Sequence, residues 1–466
     1  MSNQKQEAWS DASLVIGRFT AGFSSESLQA AHYAIAGRAL IDTVSCGYAG
    51  FYDKATAIAR NHLEGRRAKL ESSLWGPKGL LPIEDAAFYN GIAGHVLDFD
   101  DVSSPMRGHP SIVILPALLA LAEAFDRSGA QLAAAYAVGF EVTVRLSRPM
   151  VGDHYAVGWH ATSTVGLLGA AAACSHLLGL SPEQVANALG LAVAQTSGTR
   201  ANFGTMAKSF QAGHAAGCAV RATMLARAGF DSSQKALNGQ YGFMSLYANE
   251  ESLLDSLEQI GADDLELCTS GIEIKKYPLC YATHRTIDGI LDLREAHRLT
   301  LGDISQVAIT SNFRGTVPLI YSAPQTALEA KFSMQYAVAA ALSDGYVKLG
   351  SFTDAGVLRP EIQRFFPCIS VQESSVQDHQ RWNRIVLHTK DGRCLEKEVR
   401  ILRGSAVCPL TDQELLDKAK DCFAYVGLES PIAFFDSALH LNATTVRALT
   451  KSLPEILFGR DQSAAS

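Results

Sequence analysis

Apolar residues recur at mixed three- and four-residue spacings from Ala12 to about Leu257, the period of helices that bury one face. The pattern predicts helices over 28–49, 112–125, 130–144, 163–178 and 182–195. His109-Pro110-Ser111 reads as the entry to the second of these, because Ser caps helices and Pro fits the first turn. Ser181-Pro182-Glu183-Gln184 reads as a cap with Pro at the first helical position, and Gly179 as the stop of the preceding helix.

After about Gly271 the period changes. Residues 306–311 (QVAITS) alternate apolar and polar like a half-buried strand. Residues 384–389, the Lys390-Asp391-Gly392 turn and residues 393–402 read as a β-hairpin. Helices are expected between, over 283–297 and 330–343, and again over 412–424 and 444–453. The fold class read from this is mainly α. A large all-helical domain, 1–270 plus 406–466, is interrupted by a smaller inserted α+β domain at 271–405. There is no internal repeat of fixed period and no low-complexity tract.

Composition narrows the partners. With 47% hydrophobic and 19% charged residues the chain can bury a large core, which excludes disorder. Its formal net charge of -7 attracts neither nucleic acid nor an anionic membrane face, so neither partner is expected. An anionic substrate would need a local basic pocket set against that field. The first twenty residues are polar and mixed, unlike a signal peptide. The best apolar run, 165–180, falls short of the roughly 18–20 residues of a membrane span and is broken by Ser175 and His176. Nine scattered cysteines, with no Cys-x-x-Cys, argue against disulfides or a thiolate metal site and for reduced thiols in the cytoplasm.

Four segments carry candidate chemistry. In 90–111 (NGIAGHVLDFDDVSSPMRGHPS), His95, Asp98 and Asp101 sit three apart, one face of a helix if the helix continues, and Arg107 and His109 follow in a loop. Those three could serve as metal ligands or as helix-end hydrogen-bonding groups, and no further ligand is evident. His160 lies just before a helix start, where a lowered pKa favours a neutral imidazole able to act as a base, or else it packs locally. Lys208, with Arg200 nearby, stands in a small, apolar stretch and reads as a substrate clamp or as a solvated side chain. Lys275, Lys276, His284 and Arg285 make 274–285 strongly basic, as a site or as a solvated linker, at the expected domain junction. Dinucleotide-binding, Walker and nucleophile-elbow motifs are absent, which weighs against hydride, phosphoryl and acyl transfer.

These same segments resemble the MmgE/PrpD family. The matching stretches are 95–101 (HVLDFDD), 109–123 (HPSIVILPALLALAE), 158–169 with His160, 204–216 with Lys208, and 275–284. They follow the family's order and spacing over nearly the whole chain. The resemblance implies a helical domain with an α+β domain, a homodimer, a site between the domains, and no metal or organic cofactor. It places site residues on Asp98, His109, His160, Lys208 and Lys275. One departure stands out: where the decarboxylase branch has a tyrosine after the first strand of the small domain, this chain reads Asn312-Phe313-Arg314-Gly315-Thr316, with Tyr321 farther on.

The family's reactions include 2-methylcitrate dehydration, cis-aconitate decarboxylation and iminodisuccinate epimerisation. In each, a proton moves at a carbon next to a carboxylate. The expected partner is therefore a small anionic polycarboxylate, with dehydration of a 2-methylcitrate-like hydroxy tricarboxylate the first reading. Epimerisation, decarboxylation and non-catalytic binding are the alternatives. His109 and His160 are the expected acid–base pair and Lys208 and Lys275 the carboxylate clamps, with Asp98, Arg107, Arg200 and His284 assisting in binding.

Overall fold

The computed structural model describes residues 12–456 except 64–68, 151–152, 239, 248–249, 263 and 377–380. Among the described residues it is mainly α, with one four-stranded sheet and a pair of two-residue strands. Two compact units emerge. The first comprises the described residues of Met1–Val96, Asp100–Glu273 and Cys422–Ser466, and the second Leu97–Phe99 with Ile274–Asp421.

The first unit is built from helices rich in Ala and Gly. The strongly apolar helix Ser111–Ala124 is buried at every residue but its last. Helices Ile83–His95 and Ala207–Arg227 cross at Gly91 and Gly213, where a Cβ on Gly91 would sit 2.7 Å from the Gly213 Cα. Helices Gly129–Ser147 and Val165–Leu178 meet in the same way at Gly139 and Gly169. Two expected boundaries have their expected chemistry: Ser181 and Gln184 form a reciprocal capping box before Pro182–Val193, and Gly179 ends the preceding helix at φ 69°. The Ser111 hydroxyl does not cap its helix as expected. It hydrogen-bonds Asp101 and contacts the Tyr136 hydroxyl at 2.7 Å, so a buried carboxylate takes the group that the first turn would have used.

In the second unit, strand Ile304–Ser311 pairs in parallel with Ile369–Glu373 and antiparallel with Asn383–Thr389, which pairs antiparallel with Cys394–Val399. The last pair is the expected hairpin, turning at Gly392 with φ 91°. Strand Ile369–Glu373 was not read from the sequence; its run is short and follows directly on the helical turns of 360–368. Helices His284–His297 and Met334–Asp344 cover the sheet, burying Ile287, Ile290, Val338 and Leu342 with Val307, Ile309, Ile385 and Leu387.

The tripeptide 97–99 belongs to this second unit through its carbonyls. Lys331 donates to Leu97 O, Lys275 to Asp98 O at 2.8 Å and Lys418 to Phe99 O at 2.7 Å, and all three lysines are buried. All nine cysteines are free thiols. Among the described residues no helix is long and apolar enough to cross a membrane.

Candidate active site

Helix Ile83–His95 ends at His95, and Asp98 adopts a left-handed φ of 53°. The helical face expected for His95, Asp98 and Asp101 therefore never forms. Asp98 ion-pairs with Lys275 at 3.1 Å, Asp101 binds Ser111, and the turn delivers Asp100 to His95 instead.

Asp100 is fully buried between two imidazoles. His95 Nδ1–H donates to both its oxygens, at 2.9 and 3.0 Å, and His109 Nδ1 lies 3.1 Å from Oδ2. Burial opposes the Asp100 charge, but His109 and His95 outweigh it and hold the carboxyl well below its ordinary range. Lys208, the second residue of helix Ala207–Arg227, is buried rather than solvated, and its Nζ donates to His95 Nε2 at 3.0 Å. The result is a hydrogen-bonded line from an ammonium through an imidazole to a carboxylate. Burial pushes His95 down to about 4, and the Lys208 charge adds to that against the pull of Asp100.

His160 lies five residues before helix Val165–Leu178, and its carbonyl accepts from Ser163 N at 2.9 Å and Thr164 N at 3.2 Å in the turn that leads into it. Its pKa is held well below the ordinary range, first by burial and then by Lys208. His160 Nδ1 lies 2.6 Å from Gln211 Oε1, and its ring stacks 6.0 Å from that of His95. Its Nε2 is buried with no hydrogen-bond partner among the described residues.

The structure thus gathers His109, His160 and Lys208 with His95 and Asp100 in the first unit. Arg200 lies 6.0 Å from the Phe203 ring centre, a ring that His160 (5.1 Å) and Lys208 (5.6 Å) also approach. Arg107 is exposed at φ 54° and lines a cleft with His154 and Tyr155. Arg200 stacks 4.0 Å from the Tyr155 ring centre and donates to Tyr155 O. In the second unit, Lys275, Asp98 and His284 form a buried group, with His284 held well below its ordinary pKa by burial and then by Lys275. Sequence reasoning missed Asp100 and Gln211. Gln211 stands three residues after Lys208, on the same helical face, which was the available signal.

His95, Asp100 and His109 place one ligating atom each within 4.8 Å of one another, a set that could hold a divalent cation. The Lys208 ammonium on the far nitrogen of His95 opposes a second positive charge there.

Neutral, buried imidazoles have a stability consequence. His95 and His154 both titrate near 4 in the fold, against about 6.5 in an unfolded chain. Between those values the unfolded chain binds more protons, so stability should fall as pH drops from about 6.5 towards 4. Urea midpoints at pH 7 and pH 5 check this; a midpoint that is level or higher at pH 5 would contradict neutral imidazoles.

The family model described as MmgE/PrpD N-terminal domain matches residues 15–254, and that described as MmgE/PrpD C-terminal domain matches residues 277–433. The chain belongs to the MmgE/PrpD family. Among curated MmgE/PrpD-type relatives, the cis-aconitate decarboxylase of Homo sapiens is 30% identical over 393 residues, covering 82% of this chain and 81% of that protein. The Mus musculus cis-aconitate decarboxylase is 29% identical, covering 82% and 80%. That of Aspergillus terreus is 26% identical, covering 74% and 76%. The loop 312–316 is tied to the missed strand: Glu373 accepts from Arg314 N at 3.1 Å and Thr316 N at 2.8 Å.

Proposed function

We propose that the protein is a cofactor-independent lyase acting on a small polycarboxylate, by proton transfer at the carbon next to a carboxylate. The observation that carries this reading is the buried group in which a neutral His160, its Nε2 lone pair unpartnered among the described residues, is coupled to the Lys208 ammonium. A C–H beside a carboxylate is a weak acid, so a base must be joined by a cation where negative charge grows. His160 is the base and Lys208 the carboxylate clamp. His109, backed by the Asp100 carboxylate, is the acid. Lys275 is a second proposed carboxylate clamp, with Asp98 and His284 beside it. Family membership and the lyase names of the relatives support the same reaction class.

Dehydration of a 2-methylcitrate-like hydroxy tricarboxylate is the first reading. His160 removes the carbon-bound proton and His109 protonates the departing hydroxyl, releasing water and an alkene. Decarboxylation of cis-aconitate is the second, favoured by the relatives' names, although loop 312–316 holds no tyrosine. A panel of methylcitrate, citrate, cis-aconitate and iminodisuccinate, followed by ultraviolet absorbance and by proton NMR in deuterated water, tests this. New alkene from methylcitrate is the expected result, and carbon dioxide release from cis-aconitate would select the second reading. Exchange of the proton beside the carboxylate without alkene would point to an epimerase. A melting shift with no turnover on any compound would reduce the protein to a binding protein and remove the proposal.

A further inference from the structure

We infer that Gln211 is a positioning residue that fixes the tautomer of His160, leaving Nε2 as the lone-pair nitrogen. The inference rests on the reading of His160 as the base, and it follows from hydrogen-bond bookkeeping. An amide side chain can present its oxygen or its NH2, and its other partners decide which. Gln211 Nε2 donates to Thr199 O at 3.1 Å, so its Oε1 must face His160. An oxygen acceptor 2.6 Å from Nδ1 requires the proton on Nδ1. The remaining nitrogen, Nε2, then carries the lone pair and is the buried atom without a partner.

The loop that holds Gln211 in this orientation is itself pinned. Thr199 pairs with Trp159 across an isolated bridge, and His160 N donates to Gly198 O at 3.1 Å. Ser163 Oγ donates to Ser197 O at 2.6 Å. Gly198 has φ 106°, and a Cβ there would meet Ser163 Oγ and the Gln211 amide. The acceptor for Gln211 is therefore fixed by the same short stretch that positions the His160 backbone. The neutrality of the amide matters as well. A carboxylate in place of the amide would favour imidazolium, whereas a neutral amide orients the ring without adding charge. The charged and titratable groups around His160 are Lys208, His95 and His109.

Imidazole nitrogen-15 NMR of the free protein reads the tautomer directly, whatever the substrate. In the wild type, His160 should be the Nδ1–H form. In Gln211→Leu the Nε2–H form should appear and kcat should fall about 100-fold with KM little changed. Gln211→Glu keeps an acceptor at the same place, so the tautomer should hold while the acid limb of kcat/KM moves up by about one to two pH units. His160 remaining Nδ1–H in Gln211→Leu, or an unmoved acid limb in Gln211→Glu, would overturn the inference. If Gln211→Leu fails to fold, the Gln211→Glu profile and spectrum decide. A tautomer switch in a protein that turns over no polycarboxylate would leave the positioning role standing and defeat the proposed function instead.

Discussion

Replacing Lys208 with methionine should lower kcat by about 100- to 1000-fold, the loss seen when one preorganised donor to a developing charge is removed. Methionine keeps the apolar stem and removes the ammonium. Burial is the main reason that His95 and His160 stay neutral, and Lys208 adds to it in both. The variant therefore relaxes only the second cause, so both imidazoles should titrate higher and the acid limb of the rate profile should move up. A structural role alone would change the melting temperature without moving that limb. Steady-state rates from pH 5 to 8 on whichever polycarboxylate the panel identifies would check it; a kcat within threefold of wild type would remove Lys208 from the chemistry.

Replacing Gly213 with valine should cost about 3 kcal/mol and most of the activity together. A Cβ at Gly213 would lie 2.4 Å from Phe88 O and 2.6 Å from Ile92 Cγ1, so the obstacle includes the backbone of the facing helix and no simple rotamer change relieves it. The two helices that must separate carry Lys208 and His95, whose 3.0 Å contact would be lost. Gly217, one turn on, is the control. A Cβ there meets Glu84 O at 3.4 Å and Phe88 Cβ at 3.5 Å, so alanine fits and gains up to about 1 kcal/mol of helix propensity. Thermal unfolding of both variants tests the pair. A Gly213→Val protein that melts with wild type would show that the helices do not need this contact.

Much of the fold was legible because its signals are local. The Ser181–Gln184 box, the Gly179 stop and the Asp391-Gly392 turn each depend on residues within a few positions of one another. What could not be read depends on one backbone angle or on distant chain. Three acids stand at 98, 100 and 101, and spacing alone favoured those at 98 and 101, three and six residues after His95. The left-handed turn at Asp98 reverses that choice and brings Asp100 to the imidazoles. His160 and Lys208 were readable as polar residues in apolar surroundings, but burial decides their chemistry, and burial is set by helices far away in sequence. Ser111 failed as a cap because Asp101, ten residues earlier, binds its hydroxyl.

The ribosome delivers Leu97, Asp98 and Phe99 long before it reaches Ile274, and the cationic side chains at 275, 331 and 418 find their carbonyl acceptors on that early stretch. A polypeptide starting at 274 would lack those three carbonyls and the Asp98 partner of Lys275, while Lys331 would keep Pro278 O. The later segment is thus not a transplantable module. Chimeras that exchange residues 274–421 between relatives must carry the 97–99 tripeptide along with them.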